Sequence, residues 1–259
     1  MRVILLTVLV LSLTAARSQA APADDQNQNQ PPQQTQRSTP DFLFGRPDGS
    51  VGIRGSWMFA RAGSDWYEFV THHLTLENRD FNAPAIGIDY GIVIAPRAEV
   101  VIGVDVGQSR TGSEYRSFVD NNRLPITQET RLREVNLSGG LKFALTGRGR
   151  EVGRFAWVPR ALVPYAGAGG GMLWFEVQQT GDFVDFVDNS IFTDVFRSRG
   201  WTPSAHVFGG VDIQVHRRLF LTLDGRYLWA AGDLGRDWID FDPIDLTGLR
   251  LAAGINVVF

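Results

Sequence analysis

Ser204 and His206 stand two residues apart, and Glu134 is the kind of carboxylate that orients a histidine. Together they supply the parts of a serine nucleophile with its base. Residues two apart on a strand share a face, so Ser204 and His206 would share one environment. Serine and histidine are equally ordinary lining residues, and geometry must be shown before roles are assigned; catalytic residues are therefore expected to be none. Two acidic stretches offer oxygen ligands. Between Gln178 and Gly200, Asp182, Asp185, Asp188 and Asp194 alternate with Phe183, Phe186, Ile191 and Phe192. After Ala231 come Asp233, Asp237, Asp240, Asp242 and Asp245, with Trp238 and Phe241. Such clusters can hold calcium, but neither has the spacing of an EF-hand loop, and solvated acidic segments are the expectation. His72 and His73 are adjacent in a stretch expected to be extended loop, where neighbouring side chains point apart, which argues against a two-histidine metal site. Cysteine is absent, excluding disulfides, thiolate metal sites, a cysteine nucleophile and a cysteine-borne lipid anchor. No cofactor is assigned.

The elements that would position these residues begin with an export signal. Arg2 supplies a positive start, Val3 to Leu13 an apolar run, and Ser18-Gln19-Ala20 small residues at a cleavage site, so residues 1–20 read as a secretory signal peptide. The run is too short to span a bilayer, which takes about 20 apolar residues. Residues 21–44 form a Gln-, Asn- and Pro-rich segment too poor in apolar surface to offset its ordering entropy; it reads as a disordered periplasmic linker. The remaining chain, 45–259, is one domain. A net charge of −3 over 259 residues favours no nucleic-acid partner.

That domain alternates apolar and polar residues with period two, the mark of strands between two environments. At the C-terminus Leu249, Leu251, Ala253, Ile255, Val257 and Phe259 share one face, against Arg250, Ala252, Gly254 and Asn256 on the other. The pattern recurs at Val51–Phe59, Ile86–Ile92, Val100–Val106, Val135–Leu145, Ala205–Val215 and Leu219–Trp229, and less clearly in the glycine-rich Tyr165–Trp174. About eight strands of roughly 10 residues suit a transmembrane antiparallel up-and-down β-barrel, an all-β fold with lipid outside. Closure would remove edge strands, so a monomer is expected. Trp57, Tyr90, Trp174, Tyr227 and Trp229 fall where interfacial girdles would lie.

Short links at Ala95–Arg97 and His216–Arg217 and a medium one at Thr146–Pro159 alternate with long ones at Arg61–Asp80, Arg110–Pro125, Gln178–Gly200 and Ala231–Asp245. Short periplasmic turns against long external loops is barrel asymmetry. The aromatics within the acidic loops point to folding over the barrel mouth or contacting a partner. Arg148, Arg150, Arg154 and Arg160 cluster in the medium link, where solvation is the expectation. The interior would carry Arg54, Asp89, Glu99, Asp105, Glu134, Lys142, His206, Asp212, Asp224, Arg226 and Arg250. Both signs in an eight-stranded lumen, just wide enough for side chains, predict cross-barrel pairs that fill it, ahead of a narrow polar path. A soluble lipocalin-like binding barrel would need its faces reversed.

Val163-Pro164-Tyr165-Ala166-Gly167-Ala168-Gly169-Gly170-Gly171 and Leu251-Ala252-Ala253-Gly254-Ile255-Asn256-Val257-Val258-Phe259 resemble the small OmpA/OmpW-like outer-membrane barrels, over roughly Asp41 to Phe259. The resemblance implies a bacterial outer-membrane location, with outer-membrane lipid and lipopolysaccharide as surroundings. It also implies that Ile255, Val257 and Phe259 carry the signal read by the outer-membrane assembly machinery. The resemblance bears on the fold more than on the activity; the filled interior and the long loops lead to the expectation of a non-enzymatic role: structural, surface-binding, or a narrow channel for small solutes. Some small outer-membrane barrels are lipid A deacylases, which makes a lipid-modifying enzyme the alternative; Ser204 and His206 run opposite to their His-x-Ser order.

Overall fold

The computed structural model describes Phe42–Phe259; the expected signal peptide and all but the end of the expected linker lie outside the described residues. Eight strands form the barrel: β1 Gly49–Ala60, β2 Ala83–Ala95, β3 Ala98–Val119, β4 Pro125–Ala144, β5 Leu162–Val184, β6 Ile191–His216, β7 Leu219–Gly232 and β8 Gly248–Val258. Each pairs antiparallel with its sequence neighbours. The ring closes where β8 runs beside β1, from Gly248 opposite Ala60 to Val258 opposite Ser50.

The predicted alternation sorts the side chains. Outward on β8 are Leu249, Leu251, Ala253, Ile255 and Val257, while Arg250 and Val258 are buried. Outward on β2 are Ile86, Ile88, Tyr90, Ile92 and Ile94. Ten residues at about 3.4 Å each, tilted about 40°, rise about 26 Å, the height of a bilayer's apolar band. Trp57, Trp201 and Trp229 stand exposed toward one end of this band, and Tyr90, Phe143 and Phe259 toward the other.

The two ends differ. At the turn end, Pro96-Arg97 joins β2 to β3 and Arg217-Arg218 joins β6 to β7. The β4–β5 link is itself a hairpin, Gly149–Val152 against Ala156–Pro159. Leu43–Phe44 adds a third strand to it, so the last residues of the segment read as linker are part of the folded unit. At the opposite, loop end, two links read as long loops are mostly strand. β3 and β4 stay paired to Glu114 opposite Thr127, leaving only Asp120–Leu124 as a turn, and β5 and β6 stay paired to Val184 opposite Ile191. The ladder propagates past the lipid because each new hydrogen bond extends an existing register. The sequence loses period two there because lipid no longer covers one face.

The β1–β2 connection holds a helix, α1 (Asp65–His73), and a 3₁₀ turn, Asn78–Phe81. Asp65 and Glu68 lie in the first turn of α1, where its dipole favours acids, and the Ser64 carbonyl accepts bonds from the Tyr67 and Glu68 amides. The helix packs Trp66, Tyr67 and Val70 into the main apolar core. Leu74, Leu76, Phe81, Leu132, Leu173, Phe175, Val177, Leu228, Trp238, Ile244 and Leu246 pack with them, along with Ala62 and Ala230. A smaller core of Leu43, Trp157, Phe220 and Val258 lies at the turn end.

Candidate functional site

The lumen holds the chemistry-bearing residues, layered along the barrel axis. Small residues at inward positions leave room for long charged ones. Gly91 is an example: a Cβ there would sit 1.8 Å from the Glu99 carboxylate. Nearest the turn end, Arg148 donates to Glu99 at 2.9 Å and Ser50 to the same carboxylate at 2.6 Å. Arg148 thus departs from the solvated role expected of its cluster, because the hairpin folds back under the barrel and brings it to a buried acid. Above it, Lys142 donates to Asp212 at 2.7 Å and lies 3.9 Å over the Tyr165 ring. Thr222 completes Asp212, and Asn256 donates to Thr222.

The middle layer centres on Arg54. Its guanidinium forks onto Asp105 through bonds of 2.7, 2.8 and 3.1 Å and also binds Asp89. Arg226 lies 3.9 Å from both Asp105 and Asp224 and stacks over Phe208, while Tyr165 donates to Asp224 at 2.9 Å. Next comes Arg250, which binds Glu134 at 2.7 Å with both side chains only 7% exposed. Sequence reasoning found these charged residues by parity. Tyr165 and Phe208 share that inward parity but were not named among the interior residues, because they are bulky on an otherwise small or polar face.

Ser204 and His206 both face inward and are buried. The Ser204 hydroxyl donates to Asn136 at 3.1 Å, and the His206 Nδ1 is buried without a partner. Glu134 is taken by Arg250, so the three are not assembled as nucleophile, base and orienting acid.

Above the charged layers the mouth is dry. Trp66, Tyr67, Leu173, Phe175, Val177, Leu228 and Ile244 are each at most 1% exposed. Burial, with Glu134 and Asp245 nearby, holds the Tyr67 hydroxyl well above the usual tyrosine range. His72 and His73 end α1 instead of lying in extended chain. The His73 ring packs 4.6 Å from Phe69 and 4.9 Å from Phe186, and burial with His72 beside it lowers its pKa. Phe186 also meets Phe118, joining the tips of the two tall hairpins. Of the acidic loop residues, Asp245 accepts from the Gly63 amide, Asp237 from the Arg197 amide and Asp65 from the Asp242 amide. These carboxylates tie the loops down. Among the described residues, no group of three or more His, Cys, Asp or Glu is placed to hold a metal ion.

Closure of eight antiparallel strands around a charged interior, with an uncharged apolar exterior, decides the architecture. The fold is that of a small transmembrane β-barrel. Solved structures with a similar fold include the Neisserial surface protein A (13% identity, 82% of this chain and 97% of that chain, TM-score 0.47). The attachment invasion locus protein Ail of Yersinia pestis matches at 12% identity (83% and 100%, TM-score 0.45). The outer membrane protein OprG of Pseudomonas aeruginosa matches at 12% (83% and 98%, TM-score 0.44). No protein-family profile matches the sequence, and no curated relative does.

Proposed function

We propose that this protein is a non-conducting, non-enzymatic component of the bacterial outer membrane that works through its loop end, as a structural or surface-binding barrel. The observation that carries this reading is the double obstruction of the lumen. An apolar plug led by Trp66 and Tyr67 fills the mouth, and cross-barrel ion pairs fill the middle. Two cavities among the charged layers, about 40 and 50 Å³, have room for a few waters each.

What the barrel presents instead is the tall half, β3 to β6, ending in exposed Val119, Leu124, Phe186 and Val187. Exposed apolar side chains gathered at a rigid tip are a feature of contact surfaces, and function commonly sits on loops held by a rigid scaffold. In this reading the chain is a monomer in outer-membrane lipid, with lipopolysaccharide around the loop end, and Ile255, Val257 and Phe259 are read by the assembly machinery.

The test is solute flux through the refolded mature protein in liposomes, once gel mobility with and without boiling shows a folded barrel. No flux above empty liposomes is the expected result. Flux of small solutes would replace this reading with a narrow channel whose selectivity lies in Arg54, Asp105, Lys142 and Asp212.

A further inference from the structure

Charge is unevenly distributed along the barrel axis. The loop-end connections mix acids, among them Asp120, Asp185, Asp188, Asp233, Asp237 and Asp240, with the exposed arginines Arg61, Arg79, Arg123 and Arg236. At the turn end exposed arginine dominates each of the three connections: Arg97 in β2–β3, Arg150, Arg154 and Arg160 in β4–β5, and Arg218 in β6–β7. The exposed acids there are Asp48 and Glu151. The sequence shows only the β4–β5 cluster; closure of the barrel brings the other two turns to the same rim.

Three of these arginines are fixed at the lower edge of the apolar band. The Arg97 carbonyl accepts from the Ala144 amide, next to exposed Leu145. The Arg218 carbonyl accepts from the Val258 amide, between exposed Val257 and Phe259. The Arg160 amide donates to the Arg148 carbonyl, and Arg160 stands two residues before exposed Leu162. A long side chain rooted there lays its stem on apolar surface and carries its guanidinium to the headgroup level. Guanidinium binds phosphate oxygens bidentately.

We propose that the turn-end rim is a binding surface for anionic phospholipid, with Arg97, Arg160 and Arg218 each holding a headgroup phosphate around the barrel. This surface would fix the depth of the barrel and select the lipids at its turn end. The proposal rests on the membrane-spanning fold and not on the outer-membrane location.

The test uses the refolded mature chain in phosphatidylcholine vesicles doped with spin-labelled phosphatidylglycerol or spin-labelled phosphatidylcholine. Electron paramagnetic resonance gives the fraction of each label immobilised at the barrel. One arginine near an anionic lipid surface is worth about fivefold in association. Wild type should therefore prefer phosphatidylglycerol, the preference should fall with added salt, and R97Q/R160Q/R218Q should lose it by up to about fivefold. Arg123→Gln with Arg199→Gln, at the loop end, should leave it intact, and millimolar inorganic phosphate should not compete. Equal immobilisation of the two labels by wild type, a preference that survives the triple variant, or displacement by free phosphate would each overturn the proposal. Because unboiled gel mobility reports folding separately, a triple variant that fails to fold would be replaced by the three single variants, each expected to lose its share of the preference. Cell fractionation tests the location independently. A chain found outside the outer membrane that still prefers phosphatidylglycerol in vesicles would sink the location and leave this surface standing.

Discussion

Replacing Arg250 by Met distinguishes a dry lumen from a wet one. Arg250 and Glu134 lie 2.7 Å apart with side chains 7% exposed, 116 residues apart in sequence, on strands facing each other across the barrel. Removing one partner of a buried pair leaves a charge without water or counter-ion and costs about 3–5 kcal/mol. At 1.36 kcal/mol per tenfold, that is roughly two to four orders of magnitude in the folded-to-unfolded ratio. If water filled the lumen, the same pair would behave like an exposed one and its loss would cost about 0–1 kcal/mol. Removing both charges, as in E134L/R250M, should restore most of the loss, since packed apolar residues replace such pairs at little or no cost. The assay is equilibrium urea unfolding in phosphatidylcholine vesicles, followed by tryptophan fluorescence and unboiled gel mobility, with the four proteins forming a double-mutant cycle. A loss below about 1 kcal/mol for Arg250→Met, with no recovery in the double variant, would show a hydrated lumen and refute the closed-barrel argument.

Trp66, fully buried at the head of the plug, should cost about 3–5 kcal/mol when changed to Ala in the same unfolding assay; a loss under 1 kcal/mol would mean the plug is not packed. His73 has its folded pKa below the ordinary 6.5, so the neutral ring is favoured against Phe69 and Phe186, and the contribution to docking of α1 is present above about pH 6.5 and lost as pH falls. Hydrogen-exchange protection of the α1 amides, corrected for intrinsic rates, should therefore drop between pH 7.5 and 5, and His73→Phe should abolish that dependence; a pH-independent wild type counts against it. Phe259→Ala removes an exposed ring, while the backbone carbonyl of residue 259 keeps its bonds from the Asp48 and Gly49 amides, so stability should change by less than about 1 kcal/mol. If the terminal aromatic is an assembly signal, the yield of folded barrel in cells should nonetheless fall several-fold, and unchanged yield would remove that role.

The membrane-crossing part of the fold was legible because lipid on one face and a charged lumen on the other impose period two on every strand. Leu249 to Phe259 is the clearest case. The same pattern named the lumen residues, since Arg54, Asp105 and Glu134 occupy the parity opposite the apolar set. It did not name their partners. Lys142 meets Asp212 across 70 residues and Arg54 meets Asp105 across 51, distances fixed only by register and shear. The upper halves of β3 to β6 were read as loop because Tyr115–Val119 and Gln178–Val184 lie beyond the lipid and carry no alternation. Helix α1 was missed because nine residues give too short a period, although Ser64 followed by Asp65 and Glu68 is a weak start signal.

The tall half of the barrel and the plug explain each other. Extending β3 to β6 above the lipid continues their inner face as well, and that face carries Ile126, Leu132, Phe175, Val177 and Phe183, all buried. Left open, it would be an apolar surface facing water, with the outer edges of β3 and β6 unpaired, a hazard for strand-to-strand association. The two long connections spring from the short half, β1–β2 and β7–β8, and lie across this face. Trp66, Tyr67, Leu76 and Phe81 come from one, and Trp238, Ile244 and Leu246 from the other. They also cover the edges: the Thr75 amide donates to the Glu114 carbonyl on β3, and the Gly235 amide donates to Ser198 on β6. Obstruction of the lumen is therefore a consequence of building a tall surface platform on a small barrel. Shortening β3 to β6 to the height of β1 would remove the face that holds the plug. Deleting α1 would leave the platform with an exposed apolar side.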